Sequence, residues 1–160
     1  MEDRWFGLGD RGRYPTLKYQ MTNHNRIPIS WVGYYAYNPI EGVEAELPIV
    51  TFKMSWEFGW FGRFVGTVID GPNSDMLETG KIKGYCRNMK IEFTKYMPIE
   101  TIINPDGSST RTDRRHRPIH YFGKYDADSN SMNGEWYIAP YSDYLEEFGG
   151  NSGTWTAKPE

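Results

Sequence analysis

In residues 49–58, IVTFKMSWEF, large apolar side chains fall at every second position: Phe52, Met54, Trp56 and Phe58 on one side, Thr51, Lys53, Ser55 and Glu57 on the other. A period of two belongs to an extended chain with one face buried, whereas an α-helix would scatter the same residues around its circumference. The split recurs in RFVGTVID (63–70), GKIKGYC (80–86), MKIEFTK (89–95), IHYFGKYD (119–126), MNGEWYI (132–138) and GTWTAK (153–158). With WVGYYAY at 31–37 this makes eight strands. In the fourth of these, counted from residue 49, the inner set reads Met89, Ile91, Phe93 and Lys95; in the last two, Trp136 and Trp155 point inward.

The connections carry turn chemistry: DGPNSD at 70–75, NPDG at 104–107 and DADSN at 126–130. Short turns between successive strands make neighbours antiparallel. Residues 89–103 and 108–125 form one long hairpin whose tip projects beyond the rim. No segment sustains a helical stripe; SDYLEEFGG offers at most one short helix, capped by Ser142 and ended by Gly149. The expected fold is therefore all-β, a single antiparallel up-and-down β-barrel of about eight strands. Its domain covers residues 29–160, with residues 1–28 as an extension that plugs one end or lies across the outside.

Aromatic residues make up 16% of the 160, beside 17 glycines, and the two are coupled in sequence. Gly-x-aromatic occurs at Gly33-Tyr34-Tyr35, Gly62-Arg63-Phe64, Gly123-Lys124-Tyr125, Gly134-Glu135-Trp136 and Gly153-Thr154-Trp155. An inward glycine lets a strand bend and leaves room for a neighbour's ring, as a closed barrel requires.

The eight-strand order with Gly-x-Trp at 134–136 and 153–155 resembles the calycin barrels: lipocalins, avidins and intracellular fatty-acid-binding proteins. The resemblance covers residues 29–158. The Gly-x-Trp of a lipocalin's first strand corresponds to Gly33-Tyr34-Tyr35 here. It implies a small, hydrophobic or amphipathic molecule held in the interior. GRYPT at 12–16 is similar to a fragment near the start of the haem-binding nitrobindin barrels, but the last strand here has no histidine for an axial ligand, and no cofactor is expected.

The candidate interior consists of Tyr35, Phe52, Trp56, Phe64, Phe93, Tyr121, Tyr125, Trp136 and Trp155, with Lys95 and Asp70 as polar members near strand ends. As a site, these rings line a cavity in which Lys95, Tyr121 and Tyr125 orient a carboxylate or carbonyl. As a core, they simply fill it, because eight strands enclose a space that side chains can occupy completely. The inner glycines 66, 80, 84, 123, 134 and 153 serve either reading. An inward lysine needs a partner or water.

RTDRRHRPIH at 111–120 concentrates Arg111, Arg114, Arg115, His116 and Arg117. It reads as a solvated hairpin arm, alternatively as an anion, nucleic-acid or protein contact. A metal site of Asp113, His116 and His120 is disfavoured, since Pro118 blocks a helix and on a strand the two histidines stand about 13 Å apart.

The net charge of -3 speaks against a general nucleic-acid or acidic-membrane binder. No apolar run is long enough to span a bilayer, and the first residues, MEDRWFGLGD, lack a signal-peptide pattern. A single cysteine, Cys86, suits a reducing compartment, so a cytoplasmic location is expected and a homo-oligomer is left open. Catalytic signatures such as Gly-x-Ser-x-Gly and phosphate loops are absent, and an isomerase or lyase of a small carbonyl compound is the remaining enzymatic alternative.

Overall fold

A computed structural model describes residues 27–140 and 151–160. The N-terminal residues 1–26 and the short helix expected at 142–149 lie outside the described residues. Among the described residues ten strands form: β1 (Ser30–Tyr37), β2 (Val50–Phe58), β3 (Arg63–Asp70), β4 (Gly80–Arg87), β5 (Lys90–Tyr96), β6 (Thr101–Ile103), β7 (Ser109–Arg111), β8 (Ile119–Asp126), β9 (Ser131–Ile138) and β10 (Ser152–Pro159). Eight of them close a barrel in the order β1-β10-β9-β8-β5-β4-β3-β2, every neighbour antiparallel, while β6 and β7 make a separate two-stranded sheet. This is the up-and-down order of the calycin barrels, and the described helical content is one 3-10 turn at Trp60–Gly62.

The alternation read from the sequence sets which face is buried. In β2 the burial follows the period-two pattern through Val50, Phe52, Met54 and Trp56, with Phe58 packed partly against the core. Met89 departs from expectation. It lies not on the inner face of β5 but in the β4–β5 turn, with φ of 63° beside Asn88 at 51°, and is 44% exposed. Two consecutive positive φ values are what a two-residue hairpin turn needs to match the strand twist, so the turn claims this methionine before the sheet can.

The glycines stand across from rings. Gly153 pairs with Trp136 and Gly134 with Trp155 in the β9–β10 register, and Gly33 pairs with Phe52 between β1 and β2. A Cβ on Gly153 would lie 1.9 Å from the Ala36 carbonyl oxygen and 2.7 Å from Trp136 Nε1; one on Gly33 would lie 2.7 Å from Phe52 Cζ. Any larger residue would have to displace both backbone and indole.

Strand direction gives the barrel two ends. Where β1 begins, the chain at Ile27 and Pro28 crosses the opening, and the indoles of Trp31 and Trp56 both donate to the Pro28 carbonyl, at 2.8 and 3.1 Å. We call this the closed end. The opposite, loop end receives connections 38–49, 71–79 and 97–118. The long hairpin leaves the rim there as expected, then leans back: Ser109 bonds the Asp75 carboxylate, and Arg111 bonds the Asp75 carbonyl at 2.7 Å and pairs with Glu78.

Candidate functional site

From the closed end inward the rings run in contact: Trp31 to Trp56 at 5.9 Å, Trp56 to Phe64 at 4.6 Å, Phe64 to Phe93 at 6.2 Å, and Phe93 stacked on Tyr121 at 4.7 Å. Trp155 packs edge-on against Phe93 at 5.6 Å. This stretch is a solid core. The interior is aromatic-rich and largely buried, and at the loop end a partly open cavity of about 60 Å3 lies between strand walls and the covering loops. Tyr35, Tyr37, Tyr121 and Trp136 form its aromatic wall, with Thr101 and His116 contributed by the hairpin connection.

Beneath it lies a buried ion pair. Lys95 Nζ donates to Asp70 Oδ1 at 2.6 Å and Oδ2 at 2.7 Å, and the two side chains are 2% and 0% exposed. The Tyr35 hydroxyl and Ser74 Oγ also donate to Oδ2, at 3.0 and 3.3 Å. The ammonium sits 5.3 Å from the centre of the Tyr35 ring. Burial pushes Lys95 below the usual lysine range, and the Asp70 charge offsets part of that.

The surrounding phenols stay protonated at neutral pH. Burial raises Tyr35 and Tyr121 well above the normal value, and Tyr37 to about 12, with the Asp70 charge adding to all three. His116 moves the other way. Burial lowers it, the Lys95 and Arg117 charges reinforce that, and its bond to the Arg117 carbonyl and the Glu100 charge oppose it.

The structure therefore divides the residues picked out from sequence. Tyr35, Tyr121 and Trp136 line the loop-end cavity; Phe52, Phe64, Phe93 and Trp155 are core; Trp56 and Tyr125 belong to the closed end. Tyr125 packs edge-on against Trp31 at 6.0 Å and donates to Asn130 Oδ1 at 2.9 Å. Along β8 it stands six residues from Ile119, the partner of Lys95, roughly 20 Å away. Tyr125 and Lys95 thus cannot orient one small ligand together, and Lys95 is not among the residues that line the cavity.

The arginine-rich run is exposed at Arg111, Arg114 and Arg115, and its side chains still find partners. Arg111 holds Glu78, Arg114 lies 3.5 Å from Glu100, Arg115 stacks 5.7 Å from the centre of the Tyr96 ring, and Arg117 donates to the Ala139 carbonyl at 2.9 Å. His116, expected on the surface, is buried, because Glu100 N bonding to Arg114 O carries the hairpin ladder past the rim and turns this histidine under it. His120 faces out, stacked on Tyr137 at 5.0 Å. Among the described residues no three His, Cys, Asp or Glu side chains converge to hold a metal, and no helix is long and apolar enough to cross a membrane.

Sequence reasoning missed Trp31, Tyr37, Ser74, Thr101 and the inward placement of His116. Trp31 and Tyr37 share the parity of Tyr35 on β1, so the period-two rule contained them. Ser74, Thr101 and His116 sit in connections, where no period applies. No protein-family model, curated protein or solved structure matches this chain.

Proposed function

We propose that this protein is a small-molecule-binding barrel whose site is the cavity at the loop end rather than the length of the interior. The observation that carries the reading is a partly open cavity walled by Tyr35, Tyr37, Tyr121 and Trp136, covered by the β6–β7 hairpin and edged with hydroxyl groups. Apolar walls with a few placed polar atoms are what a ligand pocket offers. Size sets the ligand: an engineered cavity of about 150 Å3 accommodates benzene, so a space less than half as large takes a compact molecule or the buried head of an amphipathic one. Anything larger displaces the hairpin.

Native mass spectrometry of the purified protein against its denatured mass tests this. The expected result is a stoichiometric adduct that leaves on unfolding. A clean apo mass, together with no blue shift of an added apolar dye, would overturn the reading.

A second reading has its own observation. On the outer face of β4, β5, β8 and β9, Tyr85, Phe122 and Tyr137 are 42%, 41% and 44% exposed around a groove of about 400 Å3. That face suits a protein contact, and in that case the solid core is merely its support.

A further inference from the structure

We infer that the ligand of the loop-end cavity is uncharged and carries both a hydrogen-bond acceptor and a donor, the chemistry of a carboxamide rather than of a carboxylate or an amine. This rests on the binding reading above and narrows it.

Charge comes first. An inward lysine suggests capture of an acid, but Asp70 takes two Lys95 N–H bonds, one on each carboxylate oxygen, and Tyr35 presents its ring face to the ammonium. The pair is neutral as a unit and lies behind the wall. The carboxylate of Asp75 at the rim is exposed and already accepts the Ser109 hydroxyl. The buried Glu100 is likewise paired, with Arg114 at 3.5 Å and Arg117 at 3.4 Å. A charged ligand would therefore leave water while the buried charges near it already have counter-charges, which costs far more than burying an amide whose hydrogen bonds are met.

The polar atoms facing the space then define the rest. The Thr101 hydroxyl is buried with no partner among the described residues. The Tyr121 hydroxyl has no hydrogen bond among the described residues and, protonated, is a donor. His116 supplies the complement. Its Nδ1 lies 2.6 Å from the Arg117 carbonyl oxygen, which can only accept, so Nδ1 carries the proton. In the neutral ring Nε2 is then a bare acceptor. Two hydroxyl donors and one imidazole acceptor fit a ligand C=O and N–H.

Two sets of planar isosteres separate the alternatives: acetamide, acetate and acetamidinium, then benzamide, benzoate and benzamidinium. The readout is the NMR shift of the Trp136 indole N–H in the cavity wall, with the Trp56 indole at the closed end as internal control. The amides should move Trp136 and leave Trp56 still, while the acids and amidinium ions at equal concentration move neither. Tyr121→Phe should weaken amide binding about fivefold, the worth of one hydrogen bond, and Thr101→Val provides the same test away from the packed ring. Equal or tighter binding of a carboxylate or amidinium would overturn this inference and leave the binding barrel standing. Silence from all six, with a clean apo mass, would overturn both.

Discussion

At the closed end Trp31, Trp56 and Tyr125 meet ring against ring, and the indole N–H groups are satisfied by one carbonyl, that of Pro28. At the other end β1, β3, β5 and β8 bring together Tyr35, Asp70, Lys95 and Tyr121, with charge, hydroxyls and a partly open cavity. The strand pattern is uniform along the barrel; the connections are not. Residues 59–62, 88–89 and 127–130 join strands at the closed end, whereas 38–49, 71–79 and 97–118 cover the loop end. Short turns leave the opening to side chains and to the chain at Ile27 and Pro28, so rings fill it. The 71–79 connection provides Ser74 as a partner for Asp70, and buried polar groups are tolerated where such partners exist.

The largest test of this contrast breaks the ion pair. Asp70→Asn or Lys95→Met should each cost about 3–5 kcal/mol in urea unfolding, because one buried charge is left without its partner. The double variant Asp70→Leu with Lys95→Met should recover most of that loss. If the single changes cost less than about 1 kcal/mol, water reaches the pair and the two ends are less different than their packing indicates.

What could be read from sequence follows the same division. All eight barrel strands, and the inward parity of Phe52, Trp56, Phe64, Phe93, Trp136 and Trp155, follow from period two, because closure of the barrel enforces it on every strand. Asp70 and Lys95 could be seen to point inward near strand ends. That they meet depends on two intervening strand pairings, β3 with β4 and β4 with β5, and on their stagger, which no single strand encodes. Met89 was lost to a turn whose positive φ values its residue type does not announce. His116 misled because a run of arginines reads as surface, while the hairpin that buries it is a tertiary event.

A smaller effect should appear in alkali. Tyr35, Tyr37 and Tyr121 bind their protons more tightly in the folded protein than in the unfolded chain, whose tyrosines titrate near pH 10. Below about pH 10 both states are protonated and the phenols' contribution is fully present. Above it the folded state retains more protons, so stability falls as pH rises, through about 12 for Tyr37. Urea midpoints across this range should slope downward, and Tyr37→Phe should flatten the slope. An unchanged slope in Tyr37→Phe would place that phenol in water, not in the loop-end cluster.

The smallest expected change in stability comes from Arg111→Met, which also sharpens the comparison most directly. Arg111 and Glu78 are partly exposed, and surface ion pairs contribute little to global stability. Locally, however, Arg111 is the last residue of β7 and ties the hairpin to the 71–79 connection, so its loss frees the roof while the strand walls stay paired. Hydrogen exchange at Ile102 and Thr110, partners in the β6–β7 ladder, should accelerate, whereas exchange in β9 and β10 should not. If the cavity is reached beneath this hairpin, acetamide should bind and leave faster with its Kd nearly unchanged, because a looser roof lowers the barrier in both directions. Faster exchange with unaltered ligand kinetics would move the route to the 38–49 connection, where Ala45 touches the hairpin at Gly107.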